Sequence, residues 1–111
     1  MKLIIAIIPF HKLEDVIHEL DKIKIYRKTI SNVLGVGQSH PDVHRDNLEA
    51  GNFVKKVRFE IAVNEDLVEP ALEAITKAAN NVDGDGKIFV LDLADCIQIG
   101  SGKKGPEAIG Q

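Results

Sequence analysis

Apolar and polar positions change rhythm several times along this chain. Leu3 to Ile8 is an unbroken apolar run closed by Pro9, the pattern of a central strand buried on both faces. Leu13, Val16, Ile17, Leu20 and Ile23 then recur at helical spacing and predict one amphipathic helix. Residues 24 to 34 mix β-branched and polar types, among them Ile25, Thr29, Ile30 and Val33, and predict a second strand ended by Gly35 and Gly37. Gln38 to Asn52 has no usable period and carries Pro41, Asp42, Asp46, Asn47 and Gly51. A structureless connection of about 15 residues is long for a compact domain and is usually functional or mobile.

Order returns at Phe53 to Val63. Val57, Phe59, Ile61 and Val63 alternate with Lys56, Arg58, Glu60 and Ala62, the cleanest strand pattern in the chain. Asn64 then suits an N-cap, and Glu65, Asp66 and Glu69 put negative charge in a first helical turn. Val68, Ala71, Leu72, Ile75 and Ala79 supply the buried stripe, and Asn80 and Asn81 end the helix. Ile88 to Leu91 predicts a fourth strand, and residues 95 to 99 a short edge strand. The tail from Gly100 holds four glycines and Pro106 and is expected to be extended or mobile.

The order strand, helix, strand, long loop, strand, helix, strand predicts one α+β domain over residues 1 to 111. Its fold class is a ferredoxin-like βαββαβ sandwich, with both helices on one face of an antiparallel sheet. Lys56, Arg58 and Glu60 would leave the other face wet. The apolar first strand argues instead for partial cover, most simply by another subunit.

Composition narrows the function. Hydrophobic residues make up 44% and charged residues 28%, enough for a real core and too apolar for disorder. A net charge of −3 argues against broad nucleic-acid binding, and no Trp with one Tyr leaves few platforms for stacking bases. Cys96 is the only cysteine, so no intramolecular disulfide forms; a reducing cytoplasm fits, with Cys96 as a small core residue. No stretch reaches the ~20 apolar residues of a membrane span, and the apolar start is too short for a signal peptide.

Gly84-Asp85-Gly86-Lys87, set directly against Ile88 to Leu91, has two readings. One is a tight Asp-Gly turn before a strand. The other is a phosphate cradle, with glycine N–H groups and one mobile ammonium aimed at an anion. In the long loop, His40, Asp42, His44, Arg45 and Asp46 offer histidines and aspartates that a divalent metal accepts; the plainer reading is a solvated polar loop, so no metal site is assigned, and the alternative function is a metal-binding ferredoxin-like trimer that senses a divalent metal through His40 and His44. No Ser/His/Asp or Cys/His set is suggested, and the chain is expected not to be an enzyme.

Taken in order, Met1-Lys2-Leu3-Ile4 with Ala6-Ile7-Ile8, Lys12 to Val16, Thr29 with Val33 and Gly35-Val36-Gly37, Phe53 with Lys56-Val57 and Glu60-Ile61, and Gly84 to Val90 resemble the PII signal-transduction family almost end to end. The resemblance implies a cytoplasmic homotrimer that binds adenine nucleotide (ADP, AMP or ATP, with Mg possible beside ATP) in clefts between subunits. It implies a regulator whose T-loop, here residues 38 to 52, docks on a target such as a membrane transporter under the control of a small-molecule effector. The nucleotide set it implies is Thr29, Gly35, Val36, Gly37, Gln38, Lys56, Ala62, Gly84, Asp85, Gly86 and Lys87, and the partner-binding loop residues are His40, Asp42, His44 and Arg45.

The chain also departs from the family pattern. Two arginines that grip the outer phosphates are matched by Gln98 and Gly100, with Lys103 and Lys104 as the nearest substitutes. His44 stands where some members carry a loop tyrosine for uridylylation, and the one tyrosine, Tyr26, lies outside the loop. Gln38 stands one place before the family's glutamine, Ser39 takes that glutamine's place, and Pro9 replaces a lysine, which puts 2-oxoglutarate binding in question and leaves it open as a second effector.

Overall fold

Period-two alternation makes one strand the axis on which the rest of the sheet is registered. The computed structural model describes residues 1–36, 53–80 and 86–110. In it β1 is Lys2–Pro9, β2 Thr29–Gly35, β3 Val54–Val63 and β4 Lys87–Asp92. Helix α1 spans Leu13–Lys22 behind a 3-10 turn at Phe10–Lys12; α2 spans Glu65–Ala79 and α3 Pro106–Ile109. The four strands form one antiparallel sheet in the order β2-β3-β1-β4. This is the expected ferredoxin-like arrangement, with the first strand central. The T-loop expected at residues 38 to 52 lies outside the described residues.

The core lies between the sheet and the two long helices. Ile4, Ala6 and Ile8 of β1 and Val57, Phe59, Ile61 and Val63 of β3 point at α1 and α2, whose Val16, Leu20, Ala71, Ala74, Ile75 and Ala78 close the layer. The small alanines on α2 let its axis approach the sheet closely. Ala74 and Ala78 extend the stripe expected from Val68, Ala71, Leu72, Ile75 and Ala79. The expectation that β1 is buried on both faces is corrected: Leu3, Ile5 and Ile7 are only half-buried, because no helix covers their side.

Local signals explain the connections. Lys28 sits at 7% side-chain exposure and ties the end of α1 to the start of β2. Its ammonium donates to Asp21 Oδ1 at 2.7 Å and to the carbonyls of Ile25 at 2.8 Å and Tyr26 at 3.0 Å. Asn64 takes the N-cap position of α2, but its side chain makes no cap hydrogen bond; Nδ2 donates to the Pro106 carbonyl at 3.0 Å instead.

Three further expectations change. The tail is not simply extended, because Ile97 and Lys104 bridge and α3 buries Ala108 and Ile109. The edge strand expected at residues 95 to 99 is reduced to that bridge. Cys96, expected in the core, is half-buried.

Candidate functional site

Alternation on β3 sends Lys56, Arg58, Glu60 and Ala62 to the face that carries no helix. Strand register then decides what joins them, since residues opposite one another share a face. Val33 and Pro9 flank Lys56; Ser31 and Ile7 flank Arg58; Thr29 and Ile5 flank Glu60; Leu3 lies beside Ala62. From β4, Lys87 stands opposite Ile7, Phe89 opposite Ile5 and Leu91 opposite Leu3. Thr29, Gly35, Lys56, Ala62 and Lys87 therefore share one open face.

The cations on that face gather toward one end. Lys87, Ile7, Arg58 and Ser31 form a single row across four strands, and Lys56 occupies the next row toward the end of the sheet. Lys56 is buried, at 6% exposure. Arg58 Nε donates to Glu60 Oε2 at 2.8 Å, so this cation is partly neutralised on its own strand. Arg58 is the residue that sequence reasoning left out of the candidate set. Its alternation with Phe59 shows which face it takes, but only the β1 and β4 registers put it in the row of Lys87.

Gly86 enters β4 with φ +141°, a conformation that favours glycine, and a Cβ there would lie 3.3 Å from the Ile7 carbonyl oxygen. The residue before Lys87 is thus pressed against the central strand at the cationic end. Val36 follows β2 and is exposed. Gly37, Gln38, Gly84 and Asp85 of the candidate nucleotide set, and His40, Asp42, His44 and Arg45 of the candidate partner loop, lie outside the described residues.

The tail does not supply a replacement for the absent arginines through Gln98. That side chain accepts from the Ser101 hydroxyl, while its backbone N–H donates to Lys103 O at 2.9 Å and its carbonyl accepts from Gly102 N at 2.8 Å. Lys103 Nζ lies 3.6 Å from Glu107.

Among the described residues, no group of three or more His, Cys, Asp or Glu side chains is placed to hold a metal ion. No helix among them is long and apolar enough to cross a membrane.

On comparison with known proteins, the family described as nitrogen regulatory protein P-II matches residues 1–103. Nitrogen regulatory protein GlnK1 of Methanosarcina mazei is 41% identical over 114 residues, covering 98% of this chain and 97% of that protein. Nitrogen regulatory protein P-II of Rhizobium etli is 38% identical and GlnK of Escherichia coli K12 is 36% identical, each over 112 residues, covering 98% of this chain and 100% of theirs.

Proposed function

The chain belongs to the nitrogen regulatory protein P-II family, and we propose that it regulates by binding adenine nucleotide at the cationic end of its open sheet face. The family is one of signal-transduction regulators rather than enzymes. The finer reading has three parts. A homotrimer covers the open face, a nucleotide sits in the cleft between subunits, and residues 38 to 52 carry the bound state to a partner such as a membrane transporter. A small-molecule effector adjusts that state, and Mg accompanies ATP when ATP is bound. The setting is cytoplasmic.

One observation carries the reading. Thr29, Gly35, Lys56, Ala62 and Lys87 come from three different strands yet share one face, and Gly86 sits at the edge nearest Lys87. A nucleotide's phosphates need convergent cations and N–H donors, because an anion taken out of water without them costs several kcal/mol. Lys56 and Lys87 supply two such cations. Leu3, Ile5 and Leu91, farther along the same face, offer an apolar surface to a neighbouring copy.

The phosphate count follows from what is missing. A charge-assisted contact is worth about 1.5–3 kcal/mol, and Gln98 is engaged within its own hairpin. ADP or AMP is therefore favoured over ATP. Calorimetric titration with ATP, ADP and AMP tests this, together with Lys87→Ala, which should weaken ADP binding by about tenfold or more. The absence of binding heat with all three, at millimolar concentration, would sink the nucleotide reading.

A further inference from the structure

Gly35 ends β2 on the open face, beside the buried stem of Lys56. A Cβ placed at Gly35 would lie 3.1 Å from Lys56 Cγ, 3.4 Å from its Cε and 3.7 Å from the Val54 carbonyl oxygen. The first of these is too tight for an ordinary contact. Gly35 does not adopt the left-handed conformation that would itself demand glycine. A glycine weakens a strand, and one without a backbone reason marks a close approach by something else. Here the lysine stem makes that approach. At 6% exposure, Lys56 has little room to swing aside.

We propose that Gly35 is a positioning residue for Lys56: the missing side chain is the slot in which the lysine stem lies, and that slot sets where the ammonium is delivered on the open face. The packing claim stands on geometry alone. Its consequence for phosphate binding rests on the nucleotide reading above. A methyl group at residue 35 displaces Cγ by a few tenths of an ångström and swings the ammonium, farther along the stem, off its line. The ligand's phosphates lose the contact, and its base and sugar do not.

Two measurements on the full chain separate the claims. The first is acylation of Lys56 by acetic anhydride without nucleotide, followed by mass spectrometry. Gly35→Ala should raise the rate at Lys56 severalfold and leave exposed Lys22 unchanged; an unaltered Lys56 rate overturns the proposal. The second is titration with ADP in two backgrounds. Gly35→Ala should weaken ADP about tenfold in the parent chain, and by at least severalfold less in a Lys56→Ala background. Equal losses in the two backgrounds overturn the proposal, since Gly35 would then act without Lys56. Should the parent chain not bind ADP, the nucleotide reading fails and the acylation rate still decides the packing claim.

Gly35→Ala on its own is a folding risk. The same change in a Lys56→Ala background, which removes Cγ, should fold and melt with Lys56→Ala. A double variant that fails to fold overturns the clash on which the proposal stands.

Discussion

The two faces of the sheet come from the same strands and the same two-residue period, and they differ in what they can hold. On the helix side, Ile4, Ala6, Ile8, Val57, Phe59, Ile61 and Val63 are at most 1% exposed. On the other side, half-buried Leu3, Ile5 and Ile7 share the surface with Lys56, Arg58, Glu60 and Lys87. The middle of the first face is closed by its own helices and is apolar, because an unpaired charge there would cost several kcal/mol. The second carries no helix, and cations persist on it. Stability is invested in one face, and the proposed recognition falls to the other.

The sharpest way to break that contrast is to cut one large side chain from each face. Phe59→Ala should cost about 3–5 kcal/mol in urea denaturation, enough to unfold a marginal domain. Phe89→Ala, at a residue 49% exposed, should cost less than about 1 kcal/mol in dilute monomer. Under the proposed trimer its effect appears instead as weaker association in sedimentation. Equal costs at both positions would erase the distinction between the faces.

Next in size is Lys28→Met, where the helix layer feeds the sheet. It leaves the Asp21 carboxylate and two carbonyls without their buried donor, and chemical denaturation should register a loss of about 1–3 kcal/mol.

Smaller still is an acid effect confined to the helix layer. A hydrogen bond from Lys22, together with nearby Lys77, holds the Glu19 carboxyl below its ordinary value. Its folded pKa is thus below the unfolded one, so the contribution is present above the unfolded value and is lost as pH falls through the folded value. The gap in melting temperature between Glu19→Gln and the parent should be widest at neutral pH and close as pH falls through the lowered value of Glu19. A gap that does not change with pH would remove Glu19 from the acid response.

The smallest effect belongs to Lys2 and Asp92, which face each other across β1 and β4. Their hydrogen bond lowers the Asp92 carboxyl and raises the Lys2 ammonium. The aspartate's contribution is lost as pH falls through its depressed value. The lysine's contribution is lost only above about pH 10.4, as pH rises through its raised value. Asp92 is 86% exposed, so Lys2→Met should lower the melting temperature slightly, and less as salt rises from about 0.05 M to about 0.5 M.

Much of the fold was legible because the signals were local. Alternation from Val57 to Val63 needed no partner to be read, and neither did the helical spacing from Leu13 to Ile23. The first strand misled because apolar residues fill both of its faces, a pattern that does not say which face a helix will cover. The tail misled for another reason. Gly105 and Pro106 read as breakers, yet glycine at φ +71° followed by proline in the first turn starts α3. The candidate site was legible as residue types but not as a surface. Lys56 and Lys87 lie in different segments, and only pairing of both β3 and β4 with β1 puts them on one face. Arg58 and the Gly35 slot were invisible for the same reason.

The position of β1 also shapes how the chain must assemble. Both of its partners lie far downstream: Lys2 pairs with Val63 on one side and with Asp92 on the other. During synthesis this apolar segment is made before both of its partner strands and waits for them. Helix α1 can form at once, whereas the sheet cannot close until β4 has been synthesised. Such long-range pairing slows folding and prolongs exposure of a sticky strand. Strand β1 is therefore where a nascent-chain chaperone would find a long-lived target.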